Sequence, residues 1–270
     1  MKQSAKFLVI FLAAFLMLTT LSACTANQQK PTTTQLSVTT TVPVTHLIAS
    51  ALLESTNIEV VYLPPKRLPI NRIPAWLNRV AANELAYTDA VLTLESVSPE
   101  LAIFPLMRQK NIRLTTIDLA QEIVPGGAGI SQRQGIQEAD YFWLESNNLL
   151  LMVNIAAKDL TRLYPEEAEQ INSNRQQALR QVQQMALKID ELLLDANINS
   201  LALTNEKLMP LAQATVLPLV ALEEADLVLA SRAVKGQKTW VIDPLTRPKA
   251  ENLEVWLESL VTSLQSVLTN

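Results

Sequence analysis

From residue 36 onward, short β-branched runs alternate with stretches of helical periodicity, and this alternation restricts the fold more than any other feature of the chain. LSVTTT (36–41) is followed by an apolar-faced segment at 44–54, and IEVVYL (58–63) by a helical stretch around 74–86. AVLTL (90–94) precedes a helix over 98–109, and IRLTTI (112–117) comes next. Strands separated in this way by helices lie side by side in parallel, because each crossover helix covers a face of the sheet. The expected class is therefore α/β with a mainly parallel sheet flanked by helices. Residues 120–138, which contain Gly126-Gly127-Ala128-Gly129, read as a loop that returns the chain.

The pattern changes after this loop. Residues 147–163 are helical and end near Pro165. From Glu166 to Leu194 the apolar positions Ile171, Ala178, Val182, Met185, Ile189 and Leu192 fall at steps of seven, four, three, four and three. Such a stripe predicts one sustained helix, about 40 Å long at a rise of about 1.5 Å per residue. Alternation then resumes with SLALT (200–204), a helix near 206–213, DLVLA (226–230) and TWVID (239–243). A closing helix over 250–268 carries the stripe Leu253, Trp256, Leu260, Leu264 and Val267. The expected layout is an N-terminal α/β lobe (36–145), a helical hairpin that includes the long linking helix (146–195), and a C-terminal α/β lobe (196–270). The long helix is either an ordinary surface helix or a strut between the lobes. Ligands of open parallel sheets sit beyond the carboxyl ends of the strands, which places a candidate site in the cleft between the lobes.

The N-terminus carries a different message. Lys2 and Lys6 precede an apolar run from Phe7 to Leu18, and Leu21-Ser22-Ala23-Cys24 follows. A charged start, a short apolar core and small residues before a cut site describe a secretory signal over 1–23. The run is too short for a comfortable membrane span, which needs about 20 residues. Cys24 is the chain's only cysteine. The polar stretch that follows it, within 24–35, reads as a flexible tether.

Composition excludes several functions. A net charge of −4 with no basic stripe leaves no nucleic-acid footprint. Of the 5 glycines three lie within Gly126–Gly129, so no phosphate-cradling loop is available. After cleavage at Cys24 neither an internal disulfide nor a second thiolate remains. His46 is the only histidine, so no site can draw two imidazoles from one chain, and no nucleophile–base pair is apparent. An enzyme is not expected.

Leu21-Ser22-Ala23-Cys24 resembles the bacterial lipobox, in which the cysteine is acylated; this implies lipidation of Cys24 and a protein anchored in a cell membrane, facing the periplasm or the exterior. Ala139-Asp140-Tyr141-Phe142-Trp143-Leu144-Glu145 and the helices after it resemble the Asp-Pro-His-x-Trp-Leu-Asp-Pro region of substrate-binding proteins of zinc and manganese ABC importers. Other pieces match in order: Thr41-Val42-Pro43-Val44-Thr45-His46, Leu63-Pro64-Pro65, Ser98-Pro99-Glu100-Leu101 and Val241-Ile242-Asp243-Pro244-Leu245. The resemblance covers essentially the whole mature chain. It implies two α/β lobes joined by one long helix, and as partners an ABC permease and its ATPase, with the protein itself a monomer.

The same resemblance implies four metal-ligand positions, and here the chain departs from the pattern. The first histidine falls near Ile70 and the second on Tyr141. The third ligand falls on Glu206, or on Thr204 after a shift of two residues, and the fourth on Asp243. Zinc prefers nitrogen and sulfur donors in a tetrahedral set, whereas two carboxylates suit a harder divalent ion held weakly. The expectation is altered or lost metal binding. Each candidate has a plainer alternative. Asp243 is either a ligand or a residue capping the turn at Pro244. Glu206 is either a ligand or a solvated helix-start residue. His46 is either a ligand or a hydrogen-bonded histidine at a helix start. Trp143 reads as core that borders the cleft. Lys66, Arg67 and Arg72 either form a solvated loop or face the carboxylates across the cleft, where they would suit an anionic or zwitterionic ligand. A receptor for such a ligand and a non-transport accessory lipoprotein are the competing functions.

Overall fold

The computed structural model describes residues 35–133 and 140–269. The expected signal peptide (1–23), Cys24 and the expected tether up to residue 34 lie outside the described residues. Among the described residues no helix is long and apolar enough to cross a membrane.

Four strands, β1 (Ser37–Thr40), β2 (Glu59–Tyr62), β3 (Ala90–Thr93) and β4 (Thr115–Asp118), form one sheet in the order β2-β1-β3-β4. Every pairing is parallel, with Val38 opposite both Val60 and Ala90, and Ala90 opposite Thr115. A second parallel sheet holds β5 (Leu201–Leu203), β6 (Leu227–Ala230) and β7 (Thr239–Val241) in that order. The central strands β1, β3 and β6 are buried along their whole length, which is why they read as continuous apolar or β-branched runs rather than as alternating ones.

The helices follow from local chemistry. Helix α1 (Pro43–Leu52) begins with proline in its first turn, where the missing N–H costs no intrahelical bond. Two further helices are much shorter than the apolar pattern predicts. The expected helix over 74–86 is only α2 (Ile73–Leu77). Leu77 and Val80 turn in to pack with Leu85, Val91 and Met107 in a small second core. The expected helix over 98–109 is a 3-10 turn at Pro99–Leu101 and then α3 (Phe104–Met107). Pro99 and Pro105 each tolerate only a first-turn position, so the chain must restart at each of them.

Helix α4 (Ser146–Leu163) is capped by Glu145, whose carboxylate accepts from the backbone N–H of Asn147 and Asn148. A 3-10 turn at Pro165–Glu167 leads into α5 (Ala168–Asp195), 28 residues long. Its buried stripe is Ile171, Asn174, Ala178, Val182, Met185, Ile189 and Leu193. Two positions differ from the apolar reading. Leu193 rather than Leu192 completes the stripe, and the polar Asn174 belongs to it. The Asn174 amide donates to the carbonyls of Leu52 and Glu54, so it satisfies the frayed end of α1 instead of breaking the packing.

After β5, α6 (Met209–Ala214) follows a 3-10 turn at Glu206–Leu208. The chain closes with α7 (Leu253–Leu268), capped by Asn252. Helix α5 packs against α4, α1 and α7, and α1 also touches α7. One continuous apolar core therefore runs from Val38 in the first sheet, through Val182 in α5, to Trp240 and Leu260 beside the second sheet. The long helix is a spine shared by both lobes, with one stripe buried and its other faces exposed.

Candidate functional site

Loops at the carboxyl ends of β2, β3, β4, β5 and β7 converge on one cavity of about 930 Å³. Ile70 and Asn71 come from the segment after β2, Ser98 and Glu100 from that after β3, and Lys207 and Thr246 from the second lobe. The segment after β4 supplies the remaining wall with Arg133, Asp140, Tyr141 and Trp143. This is where open parallel sheets bind ligands, because the strand ends leave a crevice lined by backbone and loop groups.

The two walls are tied together. Ile70 N donates to the Thr246 carbonyl at 2.8 Å, and Tyr141 N donates to the Lys207 carbonyl at 3.1 Å. The Trp143 indole N–H donates to the Pro244 carbonyl at 3.1 Å. Trp143 is itself buried and packs against Phe142 and Tyr141 at centroid distances of 5.1 and 5.6 Å. The wall holds an ion pair, with Arg133 Nε 2.6 Å from Asp140 Oδ2. The Asp140 side chain is 1% exposed and that of Arg133 25%. Arg133 Nη2 also reaches the Glu206 carbonyl at 3.2 Å. Asp140 Oδ1 is buried and has no hydrogen-bond partner among the described residues.

The expected site residues divide around this geometry. Ile70, Tyr141 and Trp143 line the cavity. Glu206 is exposed, and it is its backbone carbonyl that meets Arg133. Asp243 does not line the cavity. Its Oδ1 accepts from Leu245 N at 3.1 Å and its Oδ2 lies 3.6 Å from Lys249 Nζ, which makes it a turn-capping residue. That turn is strained, since Leu245 has φ of 56°, a conformation costly for a bulky side chain. The bonds to the carbonyls of Asp243, Pro244 and Thr246 from Trp256, Trp143 and Ile70 hold it in place. Lys66, Arg67 and Arg72 remain exposed and do not line the cavity, so they do not face the carboxylates across it. Among the described residues no three His, Cys, Asp or Glu side chains gather as a metal-holding group.

His46 is likewise not a cleft residue. Its Nδ1 lies 3.2 Å from Thr40 Oγ1, and its ring packs on Tyr62 at 5.3 Å. Burial, followed by the nearby Lys66 charge, lowers its pKa from 6.5 to about 4. Between those two values the unfolded chain takes up a proton that the native state refuses, so stability falls as pH drops through that window and is fully present above it. Allowing for partial exposure, the expected loss is about 2 kcal/mol. Urea unfolding of wild type and His46→Gln between pH 7 and pH 4 measures it. Identical pH slopes for the two proteins would refute this account of His46.

Arg133 and Asp140 were not among the residues that sequence reasoning selected. Asp140 sits beside Tyr141 in the quoted motif and Arg133 lies within the 120–138 loop, but nothing local signals that the two side chains meet.

No family model and no curated protein sequence matches the chain. Solved structures do match in fold. ZnuA is 15% identical over 87% of this chain and 98% of its own, with a TM-score of 0.62. The Zn(II)-bound ZnuA-like domain of Streptococcus pneumoniae AdcA is 16% identical over 87% of this chain and all (100%) of its own, with a TM-score of 0.60. The SBP FpvC from Pseudomonas aeruginosa, in complex with Mn2+, is 12% identical over 87% and 97%, with a TM-score of 0.64. Two parallel-sheet lobes on one long helix, with a cavity at their strand ends, give this chain the fold of these three proteins.

Proposed function

We propose that the chain is an extracytoplasmic substrate-binding lipoprotein, anchored through Cys24 and serving an ABC permease and ATPase, in which the metal-binding chemistry of its structural relatives has been replaced. One observation carries this reading: an Arg133–Asp140 ion pair occupies the interlobe cavity, and Ile70 and Tyr141 stand at the positions that the resemblance assigns to imidazoles. Zinc selects nitrogen and sulfur donors, and a guanidinium beside Asp140, the one buried carboxylate among the described cavity residues, repels any divalent cation. Asp243 is engaged by its own turn and by Lys249. The donor set does not fit zinc or manganese as cargo.

Calorimetric titration of Zn2+ and Mn2+ into tag-free residues 25–270, which include the whole compact unit Gln35–Asn270, tests the replaced site. Affinity no better than micromolar is expected. Submicromolar one-to-one binding that Asp243→Ala abolishes overturns the reading.

A further inference from the structure

Resting on that reading, we infer that the cleft takes a small zwitterion carrying both an ammonium and a carboxylate, an amino acid or short peptide with an apolar side chain, with Asp140 receiving the ammonium and Arg133 the carboxylate. The argument begins with an imbalance inside the ion pair. Asp140 lines the cavity and is buried, yet among the described residues only Oδ2 is engaged while Oδ1 has no partner. A buried carboxylate oxygen without a donor is costly, so the site favours a ligand that brings a charged N–H to it.

Arg133 presents the complementary vacancy in hydrogen bonding. A guanidinium carries five N–H groups. Its Nε serves Asp140 and its Nη2 serves the Glu206 carbonyl, which leaves Nη1 without a protein acceptor among the described residues. Arg is the side chain best suited to a carboxylate in such a setting. The donor-poor oxygen and the acceptor-poor nitrogen belong to two groups already in contact, so one small molecule carrying both charges reaches both.

Charge balance selects against simpler ligands. The described charged side chains on the cavity wall are Glu100, Asp140, Arg133 and Lys207, two of each sign. A pure cation meets Arg133 and a pure anion meets Asp140, and like-charge contact in a cleft discriminates strongly. The uncharged wall pairs the polar Asn71, Ser98, Gln132 and Thr246 with an apolar and aromatic part, Ile70, Pro74, Pro99, Tyr141 and Trp143, which suits a hydrophobic side chain. A cavity of about 930 Å³ is roomy enough for a dipeptide.

Thermal shift and calorimetry on residues 25–270 test this with the twenty L-amino acids, Leu-Gly and Gly-Leu as probes. N-acetyl-leucine, leucine methyl ester, putrescine, succinate and Zn2+ serve as controls. At least one apolar zwitterion should raise the unfolding midpoint in proportion to mass action. Its N-acetylated and esterified forms should bind at least tenfold more weakly. Asp140→Asn and Arg133→Gln should each weaken the zwitterion at least tenfold; should either variant fail to fold, the blocked ligands still decide. No response to any zwitterion, or equal binding of blocked and free forms, overturns the inference. Binding of putrescine or succinate alone overturns the zwitterion but leaves the receptor reading standing. Submicromolar Zn2+ binding removes both.

Discussion

Trp240→Ala should lower the free energy of unfolding by about 4 kcal/mol, within the range of about 3 to 5 kcal/mol seen when a large buried aromatic is truncated. Trp240 on β7 has no solvent exposure and belongs to the core that runs through α5. Its indole N–H donates to the Leu260 carbonyl at 3.2 Å and to Ser263 Oγ at 3.0 Å, which pins α7 to the second sheet. The substitution therefore leaves a cavity and removes the tie between strand and helix together. Trp240→Phe keeps most of the volume and loses only the N–H, so its cost should be about 1 to 2 kcal/mol. Urea unfolding followed by far-ultraviolet circular dichroism reads both values. A loss below 1 kcal/mol for the alanine variant would mean that the second lobe does not depend on this packing.

Arg133→Met should cost about 2 to 3 kcal/mol, less than the figure for a fully buried pair because a quarter of the Arg133 side chain is exposed. The loss would come from Asp140 rather than from Arg133 itself. Methionine preserves much of the aliphatic stem but strands a carboxylate whose Oδ1 already lacks a donor. This origin makes a sharper statement possible. In Arg133→Met with Asp140→Asn the stranded charge is gone, so the double variant should recover more than half of the loss. If it unfolds as readily as the single variant, the pair matters through packing alone. The electrostatic account of the cleft would then fail, while the Trp240 result would be untouched.

Legibility in the sequence followed the range of the interactions. Strands β1, β3 and β6 are visible as compact β-branched or apolar runs because burial on both faces acts on every residue of the segment. The spine helix is visible because its stripe repeats over 28 residues. The two short helices after β2 and β3 were over-extended, since apolar residues in that stretch serve a second small core and not a helix face, and prolines interrupt the backbone. Asn174 escaped notice for a related reason: a polar side chain breaks an apolar count, although two carbonyls at the end of α1 make it a proper member of the buried stripe.

The site was legible only in outline. Ile70 and Tyr141 were placed at the cleft by resemblance, and they line it. Glu206 and Asp243 were placed by the same resemblance, and His46, Lys66, Arg67 and Arg72 by their chemistry, but neither route specifies where a side chain is engaged. Asp243 faces its own turn, His46 faces Thr40 and Tyr62, and the three cations face solvent. Alternation, periodicity and capping are properties of neighbours along the chain, so the order of strands and helices could be read from residues alone. Which charges meet is a property of neighbours in space. Arg133 finds Asp140 and the Glu206 carbonyl, 73 residues away, only after the loops of both sheets have been brought to one edge by the shared spine. At that edge low polarity and short distance decide the chemistry.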